Sequence, residues 1–272
     1  MERAFSSADR ALAKRIEANE AAMALAVAQA LQQASPELNA AAEPALGGYA
    51  LFAGAGSPAT HALGIGMDGP ASAEDFDRLE QFFRSRGSSS LIDLCPLADP
   101  SVTLLIRDRS YRVIEFNNIL VRSLDDDEPF MAAPDGVSVE KVPRGREQTW
   151  MHIVARGFLE QDVVPAEFMA MMAGLPRMAE CSLASWNGEA AAGGALGMRD
   201  GVATMFGDAT VVSARGHGLQ RALIQHRLAH ASRAGCDLAV AVVVPGTGSH
   251  RNYERAGFQL VYMRVNVERE WK

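Results

Sequence analysis

The fold is decided by the stretch Arg215-Gly216-His217-Gly218-Leu219-Gln220-Arg221, which stands between an apolar run and a long helical pattern. Because glycine has no side chain, the backbone at Gly216 and Gly218 can turn tightly and approach a ligand closely. The helix that follows directs its unpaired N–H groups and the positive end of its dipole toward the same place. This stretch, the phosphate loop (residues 215–221), therefore predicts a phosphate-binding site.

The sequence around the loop alternates between strand and helix patterns. Strands are predicted at residues 137–142, 181–186, 190–198, 201–212, 238–244 and 258–267, and helices at 144–159, 165–172, 216–234 and 249–256. The dipeptides Asn187-Gly188 and Asp200-Gly201 favour tight turns between strands. Gly235 is expected to end the long helix, and Ser249 to cap the last one. This order predicts an α/β (α+β) fold with a mixed sheet flanked by helices.

The first half carries a weaker copy of the same order. Strands are predicted at residues 61–67, 89–94 and 111–121, and helices at 7–34, 73–86 and 100–109. A fixed shift along the chain lays Leu91 on Leu238 and Ile106 on Tyr253, which indicates an internal duplication. Acidic residues, proline and glycine mark a linker between the copies. The predicted domains are residues 1–124, a linker at 125–135, and residues 136–272.

Composition narrows the possible partners. The chain has 272 residues, 48% of them hydrophobic, and a formal net charge of -7, which argues against nucleic acid. Its cysteines, Cys95, Cys181 and Cys236, lack metal-ligand spacing, so no metal is expected. The alanine-rich run at residues 21–31 is too short to span a membrane, and we expect a cytoplasmic protein with no membrane partner. The first helix could pack within the chain or pair two copies as a homodimer.

Two common nucleotide-binding signatures are absent. The dinucleotide fingerprint needs a third glycine where Arg221 stands, and an acidic residue that ends a strand, whereas Asp237 precedes one. The ATP-binding P-loop needs Gly-Lys-Ser/Thr, which does not occur in the sequence. The phosphate must belong to another kind of ligand.

The loop resembles the Arg/Gln-x-x-Gly-x-Gly/Ala signature of the GNAT N-acetyltransferase superfamily. Downstream, Tyr253-Glu254-Arg255-Ala256-Gly257-Phe258 is similar to that family's Tyr-Glu-Lys/Arg-x-Gly-Phe signature, with Ser249 at its small-residue position. The resemblance covers about residues 135 to 272. Two departures are Gln220 in place of the final Gly/Ala, and Gly246 where many members carry asparagine. The resemblance implies a mixed, mostly antiparallel GNAT sheet and, with the weaker first copy, two tandem GNAT-like domains of which the first is degenerate.

The resemblance also implies acetyl-CoA as the cosubstrate. The residues that it assigns to acetyl-CoA are Val211, Val212, Ser213, Arg215, Gly216, His217, Gly218, Leu219, Gln220, Arg221 and Ser249. Backbone groups of the first three would bind the pantetheine arm, and amides of the phosphate loop would bind the pyrophosphate. Tyr253 is the expected general acid for the departing thiolate, and Asp208 the expected general base, with Glu180 or a water chain as alternatives.

The first copy lacks these features. Its corresponding loop, Met67-Asp68-Gly69-Pro70-Ala71-Ser72, has a proline that removes an amide and an aspartate that repels phosphate, and Ile106 replaces the tyrosine. We expect this half to be inert toward CoA. The sequence thus predicts an acyl-CoA-dependent N-acyltransferase for a small-molecule amine or peptide acceptor. The alternatives are a catalytically silent CoA-binding sensor or scaffold, and a structural protein with a vestigial loop.

Overall fold

The computed structural model describes residues 9–125 and 131–271. Its helices are α1 Arg10–Ala34, α2 Ala73–Arg84, α3 Pro100–Asp108, α4 Glu147–Leu159, α5 Ala166–Met172, α6 Leu175–Met178, α7 Leu219–Arg233 and α8 Gly248–Arg255. Its strands are β1 Ala41–Ala45, β2 Gly48–Phe52, β3 His61–Leu63, β4 Ser90–Leu94, β5 Arg112–Ser123, β6 Val137–Lys141, β7 Glu180–Trp186, β8 Glu189–Arg199, β9 Val202–Thr210, β10 Leu238–Val243 and β11 Gln259–Arg269. The predicted fold class, a mixed and mostly antiparallel sheet flanked by helices, is confirmed.

The chain divides into two compact units. The C-terminal unit contains Ile119–Leu260, and the N-terminal unit contains Ala4–Asn118 together with Val261–Lys272. The last strand, β11, therefore contributes most of its residues to the N-terminal unit. The predicted domain limits (1–124, 125–135 and 136–272) stay predictions, and residues 126–130 of the predicted linker lie outside the described residues.

In the C-terminal unit the strand order is β5-β10-β9-β8-β7-β6. Strands β6 to β9 are antiparallel, whereas β10 is parallel to β9. Two adjacent glycines of β8 let helices pack closely on both faces, because successive strand residues point to opposite sides. A side chain at Gly193 would meet Trp150 and Val154 of α4, and one at Gly194 would meet Arg227 of α7. Helices α4 and α7 therefore cover opposite faces of this sheet.

Strands β9 and β10 separate in the middle of the sheet. Their pairing runs from Val202 to Met205 of β9 and stops there. Just beyond, the β8–β9 register shifts, so that Gly207 and Asp208 oppose the single residue Gly194. Gly207 has a φ of 66°, a left-handed value that glycine adopts without strain. This bulge turns the side chain of Asp208 at the point where the two strands part.

The N-terminal unit has the strand order β1-β2-β3-β4-β11, with α1 packed on β1, β2 and β3. The β1–β2 hairpin was not predicted from the sequence. Its turn uses Leu46 and Gly47 with φ values of 53° and 88°, and β1 contains Pro44. Proline is tolerated there because β1 is an edge strand and need not donate on its outer side.

A buried arginine ties α1 to β11 inside the N-terminal unit. Arg264 donates to Glu17 Oε1 at 2.7 and 3.2 Å and to Glu20 Oε2 at 2.6 Å. The hydroxyl of Tyr262 donates to the same Glu17 oxygen at 2.8 Å. Arg264 and Glu17 are 1% and 0% exposed and Glu20 is 11% exposed, so this group, the Arg264 network, is largely buried.

Two local predictions about the C-terminal half need correction. Helix α8 is capped by Thr247, whose side chain accepts from His250 N, so the prediction that Ser249 caps it was wrong. The helix begins earlier than expected because threonine, like serine, supplies a capping oxygen. The strand predicted to reach residue 212 ends at Thr210, since residues 212–214 form a 3-10 turn.

No described helix is long and apolar enough to cross a membrane. Within the same residues, no group of three His, Cys, Asp or Glu side chains could hold a metal ion.

Candidate active site

The phosphate loop ends at an uncapped helix. Gly216 and Gly218 have φ values of 87° and 82°, and Gly218 is the N-cap of α7 without any side-chain hydrogen bond to the first turn. The first helical bond is made by Ala222 N, which donates to Gly218 O at 3.0 Å. The N–H groups of residues 219–221 have no acceptor among the residues that the structure describes. This helix end is thus available to an anion.

The side chains of the loop are held at its rim. Arg215 pairs with Glu160 at 2.8 Å, and exposed His217 stacks on Trp186 with ring centroids 3.6 Å apart. A side chain at Gly218 would come within 2.9 Å of Pro134, so glycine is required there for space as well as for backbone conformation. By contrast, a side-chain carbon added at Gly216 would meet nothing within 4 Å. The open side of the loop is therefore at Gly216.

The residues expected to bind the pantetheine arm follow β9 directly. The N–H of buried Val211 donates to Ala191 O at 2.9 Å, which continues the pairing with β8. Val212 and Ser213 are exposed within the 3-10 turn. Their role toward acetyl-CoA stays a prediction.

Gln220, the departure from the family signature, joins two helices. Its amide nitrogen donates to Ser249 Oγ at 2.8 Å, and its amide oxygen accepts from Asn252 Nδ2 at 2.7 Å. Ser249 thus contacts the first turn of α7 in place of capping its own helix. The two signature regions, which lie about thirty residues apart in sequence, are adjacent in space.

The two predicted catalytic residues meet in one hydrogen-bonded group. The hydroxyl of Tyr253 donates to Asp208 Oδ2, and Arg227 donates from Nη2 to Asp208 Oδ1. We call these three residues the Arg227 network. Tyr253 and Arg227 are each 1% exposed, and the Asp208 side chain is 8% exposed. The structure therefore brings Asp208 and Tyr253 together, and it adds an arginine that sequence reasoning missed.

Burial and charge set the protonation of this group. Burial raises the pKa of Tyr253 well above its ordinary value, and the nearby Asp208 carboxylate raises it further. Burial lowers the pKa of Arg227, but the same carboxylate outweighs this effect and raises the pKa above its usual range. At neutral pH the network thus holds a neutral phenol and a charged guanidinium. The predicted roles of Tyr253 as acid and Asp208 as base stay predictions.

The alternative base, Glu180, lies at the start of β7 in a different environment. It pairs with Lys141 at 2.6 Å and with His230 at 3.1 Å. Burial acts to raise the pKa of Glu180, but these two neighbours outweigh burial and hold the pKa below its usual range. A carboxylate with a lowered pKa is a weaker base, which counts against Glu180 in this role.

Comparisons with known proteins concern the family and the fold. Residues 148–258 match the model of the Acetyltransferase (GNAT) family. No curated protein matches the chain.

Three solved structures resemble the fold. A GCN5-related N-acetyltransferase from Kribbella flavida superposes with a TM-score of 0.66 and 18% identity, over 93% of this chain and 96% of that one. Another from Sphaerobacter thermophilus gives a TM-score of 0.55 and 19% identity, over 72% of this chain and 64% of that one. A tandem GNAT protein from the clavulanic acid biosynthesis pathway gives 0.57 and 14%, over 72% and 69%.

At these identities the likeness to solved structures concerns the fold. The family match, in contrast, spans the phosphate loop, the Arg227 network and the end of α8. Residues 148–258 are therefore a GNAT acetyltransferase domain.

Proposed function

We propose that this protein is an acyl-CoA-dependent N-acyltransferase that moves an acetyl group from acetyl-CoA to a primary amine. The observation that carries the proposal is the uncapped N-terminus of α7 behind the phosphate loop, inside the residues that match the family. A thioester supplies an activated acyl group that a neutral amine can attack directly. The acceptor is proposed to be a small-molecule amine or a peptide amine.

The residues present fit a CoA pyrophosphate. The free N–H groups of residues 219–221 and the positive end of the α7 dipole favour a dianion. Arg221, at the C-terminal end of the loop, adds positive charge, whereas the guanidinium of Arg215 is paired with Glu160. Arg227 lies about two turns further along the same helix. The residues that it pairs with, Asp208 and Tyr253, are the groups proposed to move a proton.

The test measures free thiol released from acetyl-CoA with a panel of small amines and peptides, and CoA affinity by calorimetry. We expect thiol release with at least one acceptor and direct binding of CoA. Binding without thiol release would favour a silent CoA-binding module, and no binding would refute the proposal.

A matched pair of glycines isolates the phosphate loop. Gly216 and Gly235 lie near opposite ends of α7 with φ values of 87° and 81°, and a side chain at either meets nothing within 4 Å. Gly216→Asp should weaken CoA binding at least tenfold, because a carboxylate a few ångströms from a phosphate costs more than about 1.4 kcal/mol. Gly235→Asp carries a similar backbone strain and should leave CoA affinity unchanged. Gly216→Asn, without the charge, should retain most of the affinity.

A further inference from the structure

Arg227 is a charged side chain in the interior of the C-terminal unit. Its Nε donates to Leu223 O at 3.1 Å and its Nη1 to Ala195 O at 2.9 Å. Its Nη2 donates to Asp208. Nη1 also donates to Phe206 O at 3.5 Å. All three guanidinium nitrogens therefore have acceptors, and three of the acceptors are main-chain oxygens that fix where the group lies.

Asp208 connects Arg227 to Tyr253 by hydrogen bonds. One carboxylate oxygen accepts from Arg227 and the other from the Tyr253 hydroxyl. A carboxylate held at both oxygens cannot rotate without losing a charge-assisted hydrogen bond. The orientation of the Tyr253 hydroxyl is thus set by Arg227 through Asp208.

The backbone leaves space for this contact. A side-chain carbon at Gly194 would lie 2.6 Å from Asp208 Oδ1 and 2.8 Å from Arg227 Cζ, so only glycine fits. The bulge at Gly207 and Asp208 turns the carboxylate toward the same place. Bulges next to active sites often redirect a side chain in this way.

We propose that Arg227 is a positioning residue for the acyl transfer, which it serves by holding the Asp208 carboxylate in the orientation that accepts the hydroxyl proton of Tyr253. The inference rests on the proposed function, since it assigns a role within that reaction. Arg227 also interacts directly with the Tyr253 hydroxyl, but no bond to Arg227 forms or breaks in the proposed reaction.

This arrangement gives the amine proton a defined path. Because the Tyr253 hydroxyl donates to Asp208, the lone pairs of Tyr253 Oη are directed away from that carboxylate. When Oη takes a proton from the acceptor nitrogen, an N–H bond breaks and a new O–H bond forms. In the same concerted event the original O–H bond of Tyr253 breaks and Asp208 Oδ2 gains that proton, so the phenol is never doubly protonated. The reverse transfer returns the proton through Oη to the leaving sulfur and restores the network.

The decisive experiment is a double-mutant cycle between Arg227 and Tyr253, read as kcat for thiol release. Arg227→Lys keeps a positive charge but loses the planar guanidinium, whose several N–H groups donate in fixed directions. We expect it to lower kcat about 10- to 100-fold, with the KM for acetyl-CoA changed less than about threefold. In a Tyr253→Phe background the same substitution should lower kcat less than about twofold, because the hydroxyl that it positions is absent. An equal loss in both backgrounds would overturn the proposal.

A second variant controls for folding. Arg227→Met leaves the Asp208 charge buried without a partner and endangers the fold, whereas Arg227→Met with Asp208→Asn removes both charges. We expect the double variant to have the same kcat as Asp208→Asn alone. A double variant that is folded but several-fold slower than Asp208→Asn would contradict action through Asp208.

A spectroscopic readout separates this proposal from the proposed function. The chain has four tyrosines, and the ¹³Cζ resonance of Tyr253 is identified by its loss in Tyr253→Phe. Arg227→Lys should move that resonance in the direction seen in Asp208→Asn and leave the other three in place. If the wild-type protein shows no turnover, the acyl-transfer proposal fails and the positioning role fails with it. If turnover is present and the resonance does not move, the positioning role alone fails.

Discussion

Each of the two units buries an arginine beside carboxylate and a tyrosine hydroxyl. The two networks differ in whether every buried carboxylate oxygen has a hydrogen-bond donor. In the C-terminal unit, both oxygens of Asp208 in the Arg227 network have donors. In the N-terminal unit, the Arg264 network leaves Glu17 Oε2 and Glu20 Oε1 buried and without a donor among the described residues. Burial raises the pKa of Glu17 despite the opposing effect of the nearby Arg264. The Arg264 network therefore joins structural elements with two acceptors unused, whereas the Asp208 carboxylate of the Arg227 network is paired at both oxygens, and it is only for this second network that we propose proton transfer.

The two units also differ in how the helix after each loop begins, α2 after residues 67–72 and α7 after the phosphate loop. Helix α2 begins with a capping box in which Ser72 and Asp75 satisfy each other's backbone N–H groups. An acidic side chain thus already occupies the position that an anion would take. Helix α7 begins at Gly218 with no such cap. Because both units contain a buried arginine, burial alone does not identify a candidate site. Our proposal for Arg227 depends also on the uncapped helix α7 and on the separation of strands β9 and β10 nearby.

The largest effect is expected when the Arg264 network is broken. Arg264→Met should lower the free energy of unfolding by about 3–5 kcal/mol, because it leaves buried carboxylates without a cation. Urea titration measures the change. Glu17→Gln is the matched control and should cost far less, because glutamine keeps an oxygen that can accept from Arg264 and Tyr262, and burial already disfavours a charge at this position. A large loss in Glu17→Gln would show that the carboxyl is ionised and that the two networks do not differ in this respect.

Removing one hydroxyl from each network separates their roles. Tyr253→Phe should lower kcat for thiol release about 100-fold, as expected for the loss of a proton-transfer group, with CoA affinity within about twofold of wild type. Tyr262→Phe removes the corresponding hydroxyl from the Arg264 network and should leave kcat unchanged. Equal losses of rate in the two variants would mean that Tyr253 acts only through stability.

The caps give a smaller contrast. Ser72→Ala should reduce the free energy of unfolding by about 1 kcal/mol through loss of the α2 cap, and should not alter CoA affinity. Denaturant titration and calorimetry on the same protein measure both quantities. A weakened affinity for CoA would show that the N-terminal unit takes part in binding.

The smallest effect concerns pH in the N-terminal unit, where His61 Nδ1 lies 3.2 Å from Asp93 Oδ2. Burial acts to lower the pKa of His61, but Asp93 outweighs it and raises the pKa above the ordinary value. Burial likewise acts to raise the pKa of Asp93, and His61 outweighs it and lowers that pKa. Because the pKa of His61 is raised on folding, its protonation stabilises the fold at pH values below its unfolded pKa. Because the pKa of Asp93 is lowered, its ionisation stabilises the fold at pH values above its unfolded pKa.

The pair should therefore stabilise the unit most between about pH 4 and pH 6.5. The difference in unfolding free energy between wild type and His61→Gln should be greatest in that range and should shrink as pH rises through the folded pKa of His61. Glu20 and Arg264, which also act on His61, are present in both proteins and largely cancel in the difference. A difference that grows with pH would contradict the assignment.

Local patterns were enough to predict most elements of the fold. The apolar run of β10 and the glycines that end α7 and α8 are signals within a few residues, and the structure has these elements within a few residues of the predicted limits. The β1–β2 hairpin was missed because β1 is rich in alanine and contains Pro44, both of which are unusual in strands. The cap of α8 was misassigned because Thr247 and Ser249 are both capping residues only two positions apart.

The site was only partly accessible from the sequence. Its loop and tyrosine follow from motifs, whereas the Arg227 network joins positions 208, 227 and 253, and no local pattern fixes such contacts. Two features of the sequence could have indicated the Arg227 network. Gly207 is an isolated glycine in a strand, which suggests a bulge. Arg227 follows Leu219 and Leu223 at four-residue spacing, so a charge stands on the apolar face of α7.

The placement of Val261–Lys272 in the N-terminal unit has a consequence for how the protein is made. During synthesis, α1 emerges early with Glu17 and Glu20, but Arg264 is added only after the entire C-terminal unit. Until then the two glutamates have no buried cation to pair with, so α1 cannot dock in its final form. The N-terminal unit thus completes its folding last, and a chain truncated after residue 260 should have an incompletely folded N-terminal unit although every described residue of its C-terminal unit is present.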